Sequence, residues 1–386
     1  MTRPARLTPQ FLATSALLAW GLLPGDPASG RPLMIREILR NDLPSRADYD
    51  RIEHGYYEQI LDAGRRLNGV SGALAGHSEP VEVEHGRLTL KVADIREFVL
   101  KPNMTLDPGR RIPWSTNSNG MRDREYPEAK PSRTFRVGLA GDSIAAGWAV
   151  DDGAGFEPRL ERMLDDHSRA RRGPSVEVLN FSVPGHGPGQ RWSHFSRVGW
   201  AFAPDLVIYE ATPADAGWDE RRLRALLTRG VGFDESVYRE VLNAHGIEPG
   251  QDFEVYKRKL RPLRWDLLAG VYRAAVEECR SHNLPVVWIL IPRVGKPADP
   301  AERSRLVALA REAGFTAVFD ACDAFNGVDA AELAVGPNDF HPNAEGHARI
   351  AQALESWLAE QLRQAREQAR QQGRAIADAT EGAERR

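Results

Sequence analysis

From Arg133 onward the chain alternates two kinds of segment, and that alternation restricts its fold more than any other feature. The apolar runs FRVGLAG, VEVLNFSV, DLVIYEA, PVVWILIP and TAVFDA have strand length and β-branched content. Between them lie amphipathic helical patterns over 156–170, 190–201, 265–282 and 301–313. Strands that alternate with helices build a parallel sheet with helices on both faces. Strands covered on both faces read as nearly continuous apolar runs, as these do. The expected class is therefore α/β with a mostly parallel five-stranded sheet. In such a sheet the chemistry gathers at the carboxyl ends of the strands.

The first run ends in Gly141-Asp142-Ser143. A serine there has two readings. It can cap a helix that follows, a role serine favours, or it can be a nucleophile. The tripeptide alone does not separate them. The stretch VGPNDFHPNAEGHARIAQALESWL near the far end of the chain supplies the partner. Pro342 suits the opening of a helix, where its missing N–H does no harm. Ile350, Ala351, Leu354, Trp357 and Leu358 then form one apolar stripe. His341 would thus sit in the loop after the last strand, at the same edge of the sheet as Ser143. A serine hydroxyl needs a base to take its proton, and His341 can serve. Asp339 can accept from the other ring nitrogen, fix the tautomer and stabilise the imidazolium.

Together these two blocks, Gly-Asp-Ser and Asp-Phe-His-Pro-Asn, resemble the SGNH (GDSL) hydrolase family. The resemblance covers about 133–360, and TNSNGMRDREYP is similar to a segment often seen just ahead of that domain. It implies a three-layer α/β/α sandwich of flavodoxin-like type and ester hydrolysis or acyl transfer by a Ser-His-Asp set. It implies no cofactor and no metal. Ser143 would be the nucleophile and its backbone N–H one oxyanion donor. A glycine N–H after the second strand is the usual second donor, and Gly185 in NFSVPGHGPGQ is the matching position. Donors fixed in place before the oxyanion forms are each worth about 10²–10³ in rate.

The chain departs from the family pattern twice. The usual acid position, three residues before the histidine, holds Asn338, so Asp339 is taken as the acid with Asn338 as a helper. After the third strand, YEATPADAGWDE places Ala214 where an asparagine normally gives the third oxyanion donor. Thr212 could substitute with its hydroxyl, Asn117 or Asn119 could reach in from the preceding segment, or the site could work with two donors or be crippled. Among the neighbours, Asp142 reads as structural, Glu210 and Asp215 as buried supports or substrate contacts, and Trp148 as a core or rim aromatic. His186 reads as an exposed loop residue and His347 as locally packed.

The remaining sequence divides by composition. Residues 1–30 carry Arg3 and Arg6 ahead of FLATSALLAWGLL and a small-residue stretch, which predicts a signal peptide or anchor and hence export to the periplasm, envelope or medium. The competing reading is an apolar N-terminal helix in a cytosolic protein. No other segment is long and apolar enough for a membrane span. Residues 31–130 read as an accessory region, helical over 31–70, then strands around a turn at HGR, then a loop rich in turn formers. Residues 131–362 are the hydrolase domain, with 216–263 as an insertion of two or three short helices over the site. The charged segment after Trp357 reads as a solvated helix extension that frays into a disordered tail over 363–386. The formal net charge of -3 and the interspersed arginines argue against nucleic acid as a partner. Cys279 and Cys322 fit no metal spacing and read as small buried thiols, with a single disulfide open if the protein is exported.

The expected function is a serine esterase acting on acyl or acetyl esters of a small molecule or glycan, cell-envelope esters included. The alternatives are an O-acyltransferase with the same three residues, and a degenerate domain that only binds carbohydrate or a partner.

Overall fold

In the computed structural model the described residues are 88–105, 114–231, 236–248, 250–336 and 339–384. The proposed signal peptide, the helical reading of 31–70 and Asn338 lie outside them. The described residues all belong to one compact unit, Asn68–Arg386.

A short antiparallel pair comes first, β1 (Thr89–Lys91) and β2 (Phe98–Leu100). Its turn lies at 92–97, closed by the Val92 N–H on the Glu97 carbonyl at 2.9 Å; HGR falls outside the described residues. The alternating section then runs β3 (Thr134–Ala140), α1 (Phe156–Ala170), β4 (Ser175–Asn180), α2 (Pro188–Val198) and β5 (Leu206–Ala211). The insertion follows as α3 (Asp215–Thr228), α4 (Ser236–Ala244) and α5 (Phe253–Leu260). The chain closes with α6 (Arg264–Ser281), β6 (Val286–Leu290), α7 (Pro300–Ala313), β7 (Ala317–Asp320), α8 (Ala330–Leu333) and α9 (Ala344–Glu384).

Strands β3 to β7 form one parallel sheet in the order β4-β3-β5-β6-β7. Strand order reverses between β3 and β5, which makes the crevice beyond their carboxyl ends the natural place for a ligand. One helix layer pairs α1 with α9, and the other gathers α2, α3, α6 and α7. The sheet is thus sandwiched between helices, as the alternation predicts. Tyr209, Tyr272, Trp288 and Phe315 fill the second interface with edge-on aromatic contacts, Tyr209 and Tyr272 at 5.4 Å.

Local chemistry sets the helix limits. Asp299 caps α7 by accepting from the Ala301 and Glu302 N–H groups at 2.9 and 3.2 Å, Pro300 occupies the first turn, and Gly314 ends the helix at φ 94°. Pro342 does not itself open α9. Asn343 does, its Oδ1 accepting from the N–H groups of Glu345 and Gly346 at 3.0 and 3.1 Å. At its far end α9 runs on through the charged segment to Glu384, as a helix extension. Leu362 and Ala365 are buried, so the apolar stripe outlasts the change in composition. On the exposed face of the same turns Arg363 pairs with Glu360 and Glu367 at 2.7 and 2.6 Å, at helical spacing.

Candidate active site

The turn after β3 forms because Gly141 has no side chain. A Cβ there would sit 2.4 Å from the Ala145 Cβ and 2.7 Å from the Ser182 Oγ. The close approach lets the chain reverse immediately, and residues 143–149 form successive turns rather than a helix. Asp142 holds the corner: its N–H donates to Glu210 Oε2 at 2.9 Å, and its Oδ1 accepts from the Ile144 N–H at 2.8 Å. The capping role open to Ser143 is therefore filled by Asp142, and the Ser143 hydroxyl points elsewhere.

It points at His341. Ser143 Oγ and His341 Nε2 are 2.8 Å apart although the residues are 198 positions apart in the chain. On the far side of the ring, Nδ1 lies 2.6 Å from Asp339 Oδ1, which also accepts from the His341 backbone N–H at 2.9 Å. An ionised carboxylate only accepts, so Nδ1 carries the ring proton and Nε2 is left to accept from the serine. Burial pushes the Asp339 carboxyl up, but the hydrogen bond and charge of His341 outweigh it and leave the group below its ordinary range. Ser143 and His341 are both buried. The two-residue spacing from acid to histidine thus closes a local loop that fixes the imidazole.

The loop after β4 is tied to this turn. The Val183 N–H donates to the Gly141 carbonyl at 3.3 Å, and Asn180 Nδ2 donates to the Ala145 carbonyl at 2.8 Å. Gly185 has φ 85°, a conformation that favours glycine. Its carbonyl is held by the Arg222 guanidinium, with Nε at 3.1 Å. Among the described residues the backbone N–H groups of Ser143 and Gly185 have no acceptor.

The substitutes considered for the missing asparagine do not hold up. Thr212 Oγ1 donates to Asp215 Oδ1 at 2.8 Å, because that carboxylate is buried and needs donors. Asn117 is occupied within its own turn, donating to the Arg124 carbonyl at 2.8 Å and accepting from the Met121 N–H at 3.0 Å. Asn119 donates to Ser118 at 3.4 Å. Glu210 and Asp215 are supports, fully buried with Arg191 between them and Asp142. Burial, with Asp142 alongside, pushes the Glu210 carboxyl well above the usual carboxylate range. His186 is not exposed. It is fully buried, its Nε2 on the Phe98 carbonyl at 2.9 Å, because β2 covers the loop. His347 packs on Phe156 and accepts the Phe156 N–H at Nδ1, 3.2 Å away. Both cysteines are free thiols.

Sequence reasoning missed three residues. Arg191 lies in helix α2 and gives no sign in the sequence of joining three loops. Arg122, in the segment before β3, donates to the carbonyls of Ala146, Gly147 and Val150 and stacks on Trp114 at 4.1 Å. Trp114 meets Trp148 edge-on at 5.3 Å, and Trp148 lies 6.2 Å from the His341 ring. The only sequence signal was TNSNGMRDREYP, which contains Arg122.

Comparison with known proteins agrees with this geometry at the level of the family. The profile of the GDSL-like lipase/acylhydrolase family matches residues 139–349. No curated protein matches the chain. Similar solved structures include Axe2, an acetylxylan esterase from Geobacillus stearothermophilus, at 18% identity and TM-score 0.37, covering 57% of this chain and 92% of that one. TesA is 15% identical with TM-score 0.37, covering 58% of this chain and 97% of that one. A two-domain esterase, CEX, active on acetylated mannans, is 13% identical with TM-score 0.38, covering 59% of this chain and 49% of that one. Among the described residues no helix is long and apolar enough to cross a membrane. With its family profile matched over more than half its length, the chain belongs to the GDSL-like lipase/acylhydrolase family and is an ester hydrolase of the SGNH type.

Proposed function

We propose that the protein hydrolyses acyl esters, acetyl esters among them, through an acyl-enzyme on Ser143. The observation that carries this reading is the continuous line from Asp339 through His341 to the Ser143 hydroxyl, at 2.6 and 2.8 Å. In the first half-reaction Ser143 Oγ attacks the ester carbonyl carbon while its proton passes to His341 Nε2. Asp339 stabilises the imidazolium from the Nδ1 side. The tetrahedral oxyanion is met by the N–H groups of Ser143 and Gly185, two donors instead of three. The C–O bond to the alcohol then breaks, and His341 returns its proton to the leaving oxygen. In the second half-reaction water gives a proton to Nε2, attacks the acyl carbon and releases the acid, and Ser143 recovers its proton.

The test is turnover of p-nitrophenyl acetate and butyrate by wild type and Ser143→Ala, with labelling by a fluorophosphonate probe. The expected result is labelling and turnover that both disappear in Ser143→Ala. Equal background rates in the two proteins, with no covalent adduct, would overturn the reading.

A further inference from the structure

The loop that brings the Gly185 N–H to the site holds three glycines, Gly185, Gly187 and Gly189, and no backbone is freer than that of glycine. An oxyanion donor helps only if it is fixed before the charge forms. Pro184 and Gly185 fill the central positions of a turn closed by the His186 N–H on the Val183 carbonyl at 3.1 Å. Proline followed by glycine at φ 85° is the pattern of a type II turn. The same pair of residues can also form a type I turn, in which the peptide between them is turned over and the Gly185 N–H faces the other way. The donor is therefore only as good as the contact that holds this corner.

Arg222 is that contact. From helix α3 its Nε and Nη2 both donate to the Gly185 carbonyl, Nε at 3.1 Å. Hydrogen bonds from a charged donor are about twice as strong as neutral ones. The guanidinium is itself fixed. Its Nη1 lies 3.7 Å from Glu97 Oε2, and the ring centres of Trp218 and Phe98 lie 4.9 and 5.7 Å from its Cζ. The side chain is buried. Gly187 leaves room for it, since a Cβ there would come within 3.0 Å of Arg222 Cγ. Helix α3 starts directly after Ala214, the position that lacks the asparagine donor.

We propose that Arg222 is a positioning residue for the reaction. Through the Gly185 carbonyl it locks the turn in the conformation that presents the Gly185 N–H to the oxyanion, a constraint that weighs more where two donors do the work of three. The inference rests on the esterase reading and deepens it, because it gives the insertion a part in the chemistry.

The experiment uses Arg222→Met, which removes the donors, and Arg222→Lys, which keeps the charge beside Glu97 but loses the fork. Two quantities are read: kcat and KM for p-nitrophenyl butyrate, and the calorimetric affinity for propyl trifluoromethyl ketone. Ser143 Oγ adds to the carbonyl carbon of that ketone, its proton passes to His341 Nε2, and the carbonyl oxygen becomes an oxyanion on a tetrahedral carbon. The expected result for Arg222→Met is a kcat lower by about 10²-fold, with KM changed by less than about threefold. The ketone should bind more weakly by the same factor, at full stoichiometry. Arg222→Lys should show the same pattern at about tenfold. Unchanged kcat and ketone affinity in both variants overturn the assignment. So does a kcat that falls while the ketone keeps its affinity on fewer sites, since activity is then lost through unfolding of part of the sample. If Arg222→Met does not fold, Arg222→Lys decides by the same outcomes. A wild type with neither Ser143-dependent turnover nor ketone binding overturns the esterase reading itself, and this inference with it.

Discussion

Arg191 Nη2 lies 3.0 Å from Asp142 Oδ2, so a guanidinium from helix α2 grips the residue next to Ser143. The same side chain binds both oxygens of Asp215, at 2.9 and 3.1 Å, and donates to the Glu210 carbonyl at 2.9 Å. It thereby joins the turn after β3 to the end of β5 and the start of α3. A buried arginine among three acids is held as a cation, since their charges outweigh the burial that would otherwise lower its pKa.

Replacing Arg191 with Met would leave Asp142 and Asp215 buried without their counter-charge. Breaking a buried pair from one side costs about 3–5 kcal/mol. The expected result is a urea midpoint lowered by a corresponding amount, with Arg191→Lys intermediate because an ammonium cannot satisfy the three partners at once. A midpoint equal to wild type would mean that the network does not hold the turn.

Asp339→Asn keeps the size of the acid but presents an amide to His341 Nδ1. The ring can then take the wrong tautomer, with its proton on Nε2 facing Ser143. By analogy with other Ser-His-Asp sets, kcat should drop by roughly 10⁴ while the thermal midpoint changes little. A loss of less than tenfold would show that Asp339 does not orient the base.

Thr212 separates an oxyanion donor from a structural hydroxyl. Its proton goes to Asp215 Oδ1 at 2.8 Å, and that oxygen also accepts from Arg191. Thr212→Val should therefore lower stability by about 1 kcal/mol and change kcat by less than the 10²-fold or so that marks a lost oxyanion donor. A fall of that larger size, with the fold intact, would restore Thr212 to the oxyanion site.

The parts of this site that could be read from the sequence are those set by local pattern. Strand-length apolar runs and helical stripes place Ser143 and His341 at one edge of a parallel sheet. The chemistry of each residue type then suggests their pairing. Contacts that depend on tertiary packing leave no such trace. Arg191 looks like any polar residue of an amphipathic helix, yet it is fully buried. His186 looks exposed because its loop is rich in glycine and proline, and only the covering strand β2 buries it.

Arg122 tests how far the segment before β3 belongs to the site. Its guanidinium fastens the carbonyls of Ala146, Gly147 and Val150 and pairs with Asp152 at 3.1 Å. Arg122→Ala would free the turn that carries Ser143 and remove the face on which Trp114 stacks. Misplacing a reacting group by about 1 Å costs on the order of 10²-fold, so kcat should fall by about that factor. An unchanged kcat would confine Arg122 to a purely structural role.

Asp219 gives a pH dependence whose sign can be worked out. Its Oδ1 accepts from the Tyr238 hydroxyl at 2.6 Å and the Gly189 N–H at 2.9 Å, whereas Oδ2 is buried with no partner among the described residues. Burial pushes this carboxyl up to about 6. Between about pH 4, where the unfolded chain releases this proton, and about pH 6, the native state holds a proton that the unfolded state has lost. Stability therefore falls as pH rises through that window, and the loss is complete above it. A raise of about 2 pH units corresponds to at most about 3 kcal/mol. Asp219→Asn carries no charge, so this part of the fall should vanish. Its stability relative to wild type should rise by up to that amount between pH 4 and pH 7.5. A difference between the two proteins that stays constant across the range would mean that Asp219 ionises in the folded protein as it does in the unfolded chain.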